Sequence, residues 1–341
     1  MFEGDLLMTK LLSICIPTFD RAEYIGETLE SIINQIEAGI EIVIVDGGTT
    51  DNTESVVAHY QKIYPDIHYF KSGGVKNHPS NEGFDRDCNY AVELASGEYC
   101  WLMTDDDLLK PGSIKRILRA TEKSYSVIVA SVEVRNKDLT RVITPRRPNL
   151  LQDQIYQPSE LNKFAAKIGN HLTFVGAVIV KKQFWLSRNR KKYFGSGFIH
   201  VGVIFDKPII GEILVISEVL VSIRLGNAQW QNRSFEIWMF MWPELIWSFS
   251  TIGIETKRTI SLKEPWRRFR MLIVQRSKGG YNRQSYRQYF STMRVNVLWK
   301  FCAWLIACFP KNIIVGLEYL YSRRKPESRE FFDNHFAKPR R

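Results

Sequence analysis

The chain has 341 residues, 45% hydrophobic and 24% charged, which is enough to bury one large core or two modest ones and excludes a disordered polymer. A net charge of +11 calls for an anionic partner: a nucleic acid, a phosphorylated substrate or an anionic membrane surface. Five cysteines, Cys15, Cys88, Cys100, Cys302 and Cys308, form no CxxC pair, so a disulfide framework is not expected and a reducing compartment is.

Met1 to Lys10 carries two acids and no basic-then-apolar leader, so a cytosolic location is expected. Leu11 to Ile16 is a short apolar run ended by Pro17, hence a buried strand, and Arg21 to Gln35 places Ile25, Leu29, Ile32 and Ile33 at helical spacing. Glu41 to Val45 is a second strand ending in Asp46-Gly47-Gly48, which completes a βαβ unit. Asp51 or Thr53 is expected to cap a helix through Tyr60, and Ile67 to Phe70 to form a third strand. Ala91 to Ser96 reads as late helix and Glu98 to Met103 as a strand running into an acidic turn. Further on, a helix is predicted over Ser113 to Glu122 and strands over Val127 to Arg135 and Thr173 to Val180. Pro145, Pro148 and Pro158 mark an irregular stretch between those strands. The pattern predicts an open α/β sheet, in which ligands bind beyond the carboxyl ends of the strands.

The acidic turn is Thr104-Asp105-Asp106-Asp107, delivered by an apolar strand and closed by Lys110-Pro111-Gly112. Three adjacent carboxylates repel one another unless a cation neutralises them, and Mg²⁺ or Mn²⁺ takes such oxygens together with substrate phosphates. Taken alone, the triplet reads first as an exposed turn with Asp107 capping the next helix.

Three blocks decide between these readings. Ser13-Ile14-Cys15-Ile16-Pro17-Thr18-Phe19-Asp20-Arg21, then Asp46-Gly47-Gly48-Thr49-Thr50-Asp51 after Ile42 to Val45, then Ala95-Ser96-Gly97-Glu98-Tyr99 leading into Thr104 to Asp107, resemble the inverting family 2 glycosyltransferases in order and spacing. The resemblance implies a GT-A, Rossmann-like nucleotide-sugar domain. It places Pro17, Thr18 and Asp46 around the base and ribose, with Asp46 on the base edge, and Arg21 near the pocket mouth. Asp106 would bind the metal as second acid of the DxD motif. The first acid is replaced by Thr104, so either its hydroxyl contacts the ribose or Asp105 and Asp107 form an offset pair. Arg86, within Asn81 to Asn89, would face the diphosphate, a surface ion pair being the alternative.

An inverting transfer needs a base for the acceptor hydroxyl. The family's Glu-Asp pair is missing from Tyr193 to Gly202, which leaves His200 as the expected base and Asp206 in reserve. Together with Asp85-Arg86-Asp87 and Ile223 to Trp230, where Arg224, Asn227 and Trp230 are further donor or acceptor candidates, the chain most resembles bacterial abequosyltransferase-type enzymes of O-antigen assembly. That narrower likeness implies a CDP-dideoxyhexose donor and a lipid-linked glycan acceptor.

Residues 1–230 are accordingly expected to form the catalytic domain, with a donor half at 11–120 and an acceptor half at 121–230, and 231–341 a helical aromatic and basic region. Val295 to Phe309 is too short to span a bilayer and has the mixture of an interfacial helix or of a buried pair. An enzyme held at the inner face of the bacterial cytoplasmic membrane follows. A dehydrogenase is excluded because the first strand runs into proline instead of a GxGxxG turn, and no nucleic-acid-binding signature accompanies the charge. Thr104 and the missing acid pair keep an inactive nucleotide-sugar-binding module as the alternative.

Overall fold

The computed structural model describes residues 10–72 and 82–323, so Asn81 and the basic tail beyond Arg323 lie outside it. The strands are β1 (Leu12–Thr18), β2 (Ile40–Asp46), β3 (Ile67–Lys71), β4 (Tyr99–Leu102), β5 (Leu108–Leu109), β6 (Val127–Arg135), β7 (Val142–Arg147), β8 (Gln154–Tyr156), β9 (Val178–Lys181) and β10 (Ile213–Arg224). They form one sheet in the order β3-β2-β1-β4-β9-β6-β10-β5, with β7 beside β6 and β8 beside β10. The pairings β1–β2, β2–β3, β1–β4 and β6–β10 are parallel, whereas β9 runs antiparallel between β4 and β6.

The parallel part is made of predominantly apolar runs, as strands covered on both faces are, with Ser13 and Glu41 among the buried polar exceptions in β1 and β2. Pro17 does not end β1. It stays in register opposite Val45, beyond Cys15, where pairing with β4 stops, so a missing N–H is tolerated where one side of the strand is open. Crossovers are α1 (Ile25–Ile33), α2 (Thr53–Ile63) and α3 (Glu82–Leu94), and α4 (Ser113–Thr121) follows the acidic turn.

The start of β4 is fixed by a buried knot. Ser13 Oγ donates to Glu41 Oε1 at 2.6 Å and accepts from Gly97 N at 2.8 Å, while Ser96 N also reaches Glu41. A Cβ on Gly97 would stand 2.6 Å from Ser13 Oγ and 2.7 Å from Ser13 N, so only glycine fits.

Later elements depart from expectation. Residues 173–177 are 3-10 turns, so β9 starts at Val178, and the proline-marked stretch contains the edge strands β7 and β8. Helices α5 (Leu161–Ile168), α6 (Lys182–Leu186) and α7 (Ile199–Phe205) complete this part. The twelve-residue β10 has no counterpart among the predicted elements.

The chain divides into two compact units. The first runs to Asn227 and includes Ser248–Ile260, and the second comprises Ala228–Trp247 and Ser261 onward. The single boundary expected after residue 230 is thus replaced by an exchange in which Ser248–Ile260, with α10 (Ile254–Ile260), returns to the sheet unit. The second unit holds α8 (Ser234–Glu236), a π-helical turn leading into α9 (Trp242–Ser248), and then α11 (Phe269–Lys278), α12 (Arg283–Tyr289), α13 (Val297–Cys308) and α14 (Lys311–Arg323). Its core is aromatic. Phe235, Trp266, Tyr281 and Phe290 are buried together with Met239 and Leu272, and Phe235 stacks on Tyr281 with centroids 4.8 Å apart.

Candidate active site

The acidic turn is positioned by strand pairing. β5, directly after it, is antiparallel to β10 with Leu108 opposite Ser222 and Leu109 opposite Val221, and this register carries Arg224 alongside the turn. Arg224 N donates to Asp107 Oδ1 at 2.8 Å and its Nε to the Asp106 carbonyl at 2.9 Å. Its guanidinium also pairs with Glu27 on α1. Asn227 Nδ2 reaches Asp106 Oδ2 at 2.7 Å.

Arg21 closes the cluster from β1, with Nε 3.3 Å from Asp105 Oδ1 and Nη2 3.4 Å from Asp106 Oδ2. The Tyr24 ring lies under both arginines, 5.5 Å from the Arg21 and 5.0 Å from the Arg224 guanidinium carbon. Burial, reinforced by the charge of Asp106, pushes the carboxyls of Asp105 and Asp107 well above the usual range, and Arg21 partly offsets this at Asp105.

Two further oxygens are buried beside the cluster: Asn227 Oδ1, without a hydrogen-bond partner, and Thr18 Oγ1, against the Asp105 carboxyl; a buried polar atom left without a partner is a costly state. Thr18 lies next to Asp105, and Asn227 Oδ1 belongs to the amide already bonded to Asp106.

On the neighbouring strand, Asp46 Oδ1 accepts from Gly48 N at 2.9 Å and Thr49 N at 2.7 Å, while Tyr69 Oη donates to its other oxygen. It is only 1% exposed. Asp87 on α3 packs against this corner so closely that a Cβ on Gly47 would stand 2.8 Å from its Oδ2. Burial pushes the Asp87 carboxyl up to about 6, with the Asp46 charge adding to the shift.

Several of the expected site residues are engaged within the fold. The Asp46 carboxylate is bonded by Tyr69 and the Gly48–Thr49 backbone. Asp107 accepts one bond on each oxygen, from Thr104 Oγ1 and from Arg224 N. No group of three metal-type side chains converges among the described residues. Pro17 is buried in β1, and Arg86 lays its guanidinium 5.3 Å from the Phe194 ring centre.

His200 sits inside the fold. It is wholly buried on α7, and its Nε2 donates to the Leu172 carbonyl at 2.7 Å. Burial lowers its pKa to about 4. Asp206, at the other end of α7, accepts from Tyr193 Oη at 2.9 Å and Asn189 N at 3.1 Å, so both its oxygens serve the fold. Trp230, 46% exposed, belongs to the helical unit.

The sequence reading missed Asp85. Its carboxylate, 0% exposed, accepts from Gly197 N at 2.8 Å and Ile199 N at 3.0 Å and so caps α7 from another helix. Burial outweighs these bonds and pushes it up to about 7. The sequence signal was an acid on the helical face that also carries Cys88, Asn89 and Val92.

A sheet that ends in an acidic turn, an arginine from β1 and an amide past β10 defines a GT-A glycosyltransferase fold. A mannosyltransferase from Pyrobaculum calidifontis, solved in complex with GDP-Man and Mn²⁺, shares that fold with a TM-score of 0.52 and 13% identity, over 95% of this chain and 83% of that one. Residues 13–190 match the family model described as glycosyl transferase family 2, and the chain belongs to that family. Abequosyltransferase RfbV of Salmonella typhimurium is 29% identical over 283 residues, covering 75% of this chain and 81% of that protein. A Campylobacter jejuni enzyme named GalNAc(5)-diNAcBac-PP-undecaprenol beta-1,3-glucosyltransferase is 31% identical over 115 residues, 34% of this chain and 36% of that one.

Proposed function

We propose that the chain transfers a sugar, with inversion, from a nucleotide-diphosphate donor to a lipid-linked glycan acceptor at the inner face of a bacterial cytoplasmic membrane, and that the donor is a CDP-dideoxyhexose. The observation that carries the reading is the cluster of Arg21, Asp105, Asp106 and Asn227, with the unpartnered Asn227 Oδ1 in it. The likeness to the abequosyltransferase supports the sugar class, and the undecaprenol in the second relative's name supports the acceptor.

The oxygens present fit a divalent ion held by few protein ligands. Mg²⁺ and Mn²⁺ accept one or two carboxylates and complete their shells with phosphate and water, so a three-acid cage is unnecessary. Asp106 and Asn227 Oδ1 would hold the ion, which neutralises the diphosphate as it leaves. Arg21, beside Asp105 and Asp106, would bond the phosphates, and Thr18 Oγ1 would bond the ribose. In the transfer itself the acceptor oxygen bonds to the anomeric carbon from the face opposite the diphosphate, which leaves with the bonding electrons while the acceptor proton passes to a base. His200, bonded to the Leu172 carbonyl, and Asp206, bonded to Tyr193 and Asn189, are both engaged within the fold.

The test is thermal stabilisation by CDP, UDP, GDP and dTDP, each with and without Mn²⁺, in the wild type and in Asp106→Ala. Metal-dependent stabilisation by CDP that the variant loses is the expected result. Equal stabilisation in both proteins overturns the Asp106 assignment, and stabilisation by another base alone overturns the CDP donor.

A further inference from the structure

In the helical unit, α13 packs on the aromatic core through Ala303 and Ala307, 0 and 1% exposed, with Trp299 and Ile306 partly buried beside them. Val297, Leu298, Phe301, Trp304 and Leu305, by contrast, stand 43 to 81% exposed. Their spacing of three and four places them on one helical face. Phe309, just past the last turn, continues the stripe at 44% exposure. A helix bathed in water carries its large apolar groups inward, and a patch of this kind marks an interaction surface.

Charge indicates what covers it. Between Ser261 and Gly316 eleven lysines and arginines stand against one acid, Glu264, and the exposed Arg294 and Lys311 flank the two ends of α13. A second copy of the chain would bring the same cations into opposition. Anionic headgroups neutralise them, and acyl chains accept the stripe. At twelve residues α13 is too short to cross a bilayer, which takes about 20, and no described helix is long and apolar enough to do so.

We propose that this face of α13 docks onto an anionic phospholipid bilayer, with Phe301 and Trp304 at the acyl boundary and the flanking cations on the headgroups. The inference rests on the reading of the chain as a transferase for a lipid-linked acceptor and adds the residues that meet the membrane.

The experiment is flotation of the full chain with vesicles of phosphatidylcholine alone and with about 30 mol% phosphatidylglycerol, enough to give a negative surface potential. Wild type is expected to float with the anionic vesicles only. Leu298→Glu/Phe301→Glu, which alters two exposed side chains and leaves the core intact by circular dichroism, is expected to bind at least about tenfold more weakly. Its hydrolysis of the donor in solution is expected to be unchanged. Equal vesicle binding by both proteins overturns the docking face, as does a solution dimer that the double variant dissolves. A wild type that hydrolyses donor but ignores anionic vesicles overturns docking and leaves the transfer reading intact. One that floats without binding any nucleotide supports docking and overturns the transfer reading.

Discussion

Asp106 and His200 show how differently two polar residues can be used by one fold. Asp106 is held by Arg21 and Asn227 amid like charges, an arrangement that favours a ligand more than the folded state. Asp106→Asn is therefore expected to lower the transfer rate by on the order of a hundredfold while its melting temperature stays level or rises, because one buried negative charge is gone. Steady-state kinetics beside a thermal melt check both halves. His200, bonded to the Leu172 carbonyl, is expected to behave in the opposite way. His200→Gln keeps a donor for that carbonyl, and its transfer rate should match wild type at pH 7.5. A rate loss beyond about tenfold would return the imidazole to the chemistry.

The buried aspartate on α3 acts at the level of elements. Asp85→Ala strips two backbone N–H groups of their acceptor and is expected to cost about 1–3 kcal/mol in denaturant melts, whereas Asp85→Asn retains one acceptor, sheds the buried charge and should cost less. Gly97→Ala forces a methyl into the Ser13 backbone and is expected to destabilise by a similar amount. If it is neutral, the knot around Glu41 has more room than the structure shows.

The βαβ start was legible because β1, β2 and β4 are largely apolar runs between turn residues. Strand β10 was not. Its pairing with β6 shifts register between Ile216 and Val219 and again between Val219 and Val221, so the alternation that reveals a half-buried strand is scrambled, although its β-branched residues were a usable signal. The acidic turn could be read as a motif, but not the direction of its side chains. That depends on Arg224, which lies 117 residues further along the chain and is brought there by β5–β10 pairing. The aromatic crowding after Trp230 was ambiguous for the same reason, since Phe235 and Trp266 are core while Trp304 is surface, and composition cannot tell one helix face from another.

For the molecule as a whole, buried histidines and buried acids pull stability in opposite directions with pH. His171 and His200 are both lowered by burial to about 4 from 6.5. The unfolded chain binds their protons first, so the stability gained from keeping them neutral is complete above pH 6.5 and is lost as pH falls toward 4. Asp85 and Asp87, raised by burial to about 7 and about 6, work the other way: their contribution is complete below the ordinary carboxylate value and is lost as pH rises through those values. A melt of the wild type reports only the difference. The difference between wild type and His200→Gln isolates one histidine, and the variant should gain about 2 kcal/mol relative to wild type between pH 7.5 and pH 5. A constant gap across that range would show the imidazole to be protonated in the fold.

Asp85 and Asp87 stand two residues apart on α3, one holding the start of α7 and the other wedged against Gly47 beside Asp46. One short rod is thereby pinned near the donor end of the sheet and, half a turn away, to the loop before α7. A shift of that rod displaces both attachments by the same amount, so tolerance at one is limited by tolerance at the other. Two parts of the chain more than a hundred residues apart in sequence thus keep a common datum, and changes selected at either end will be constrained in pairs.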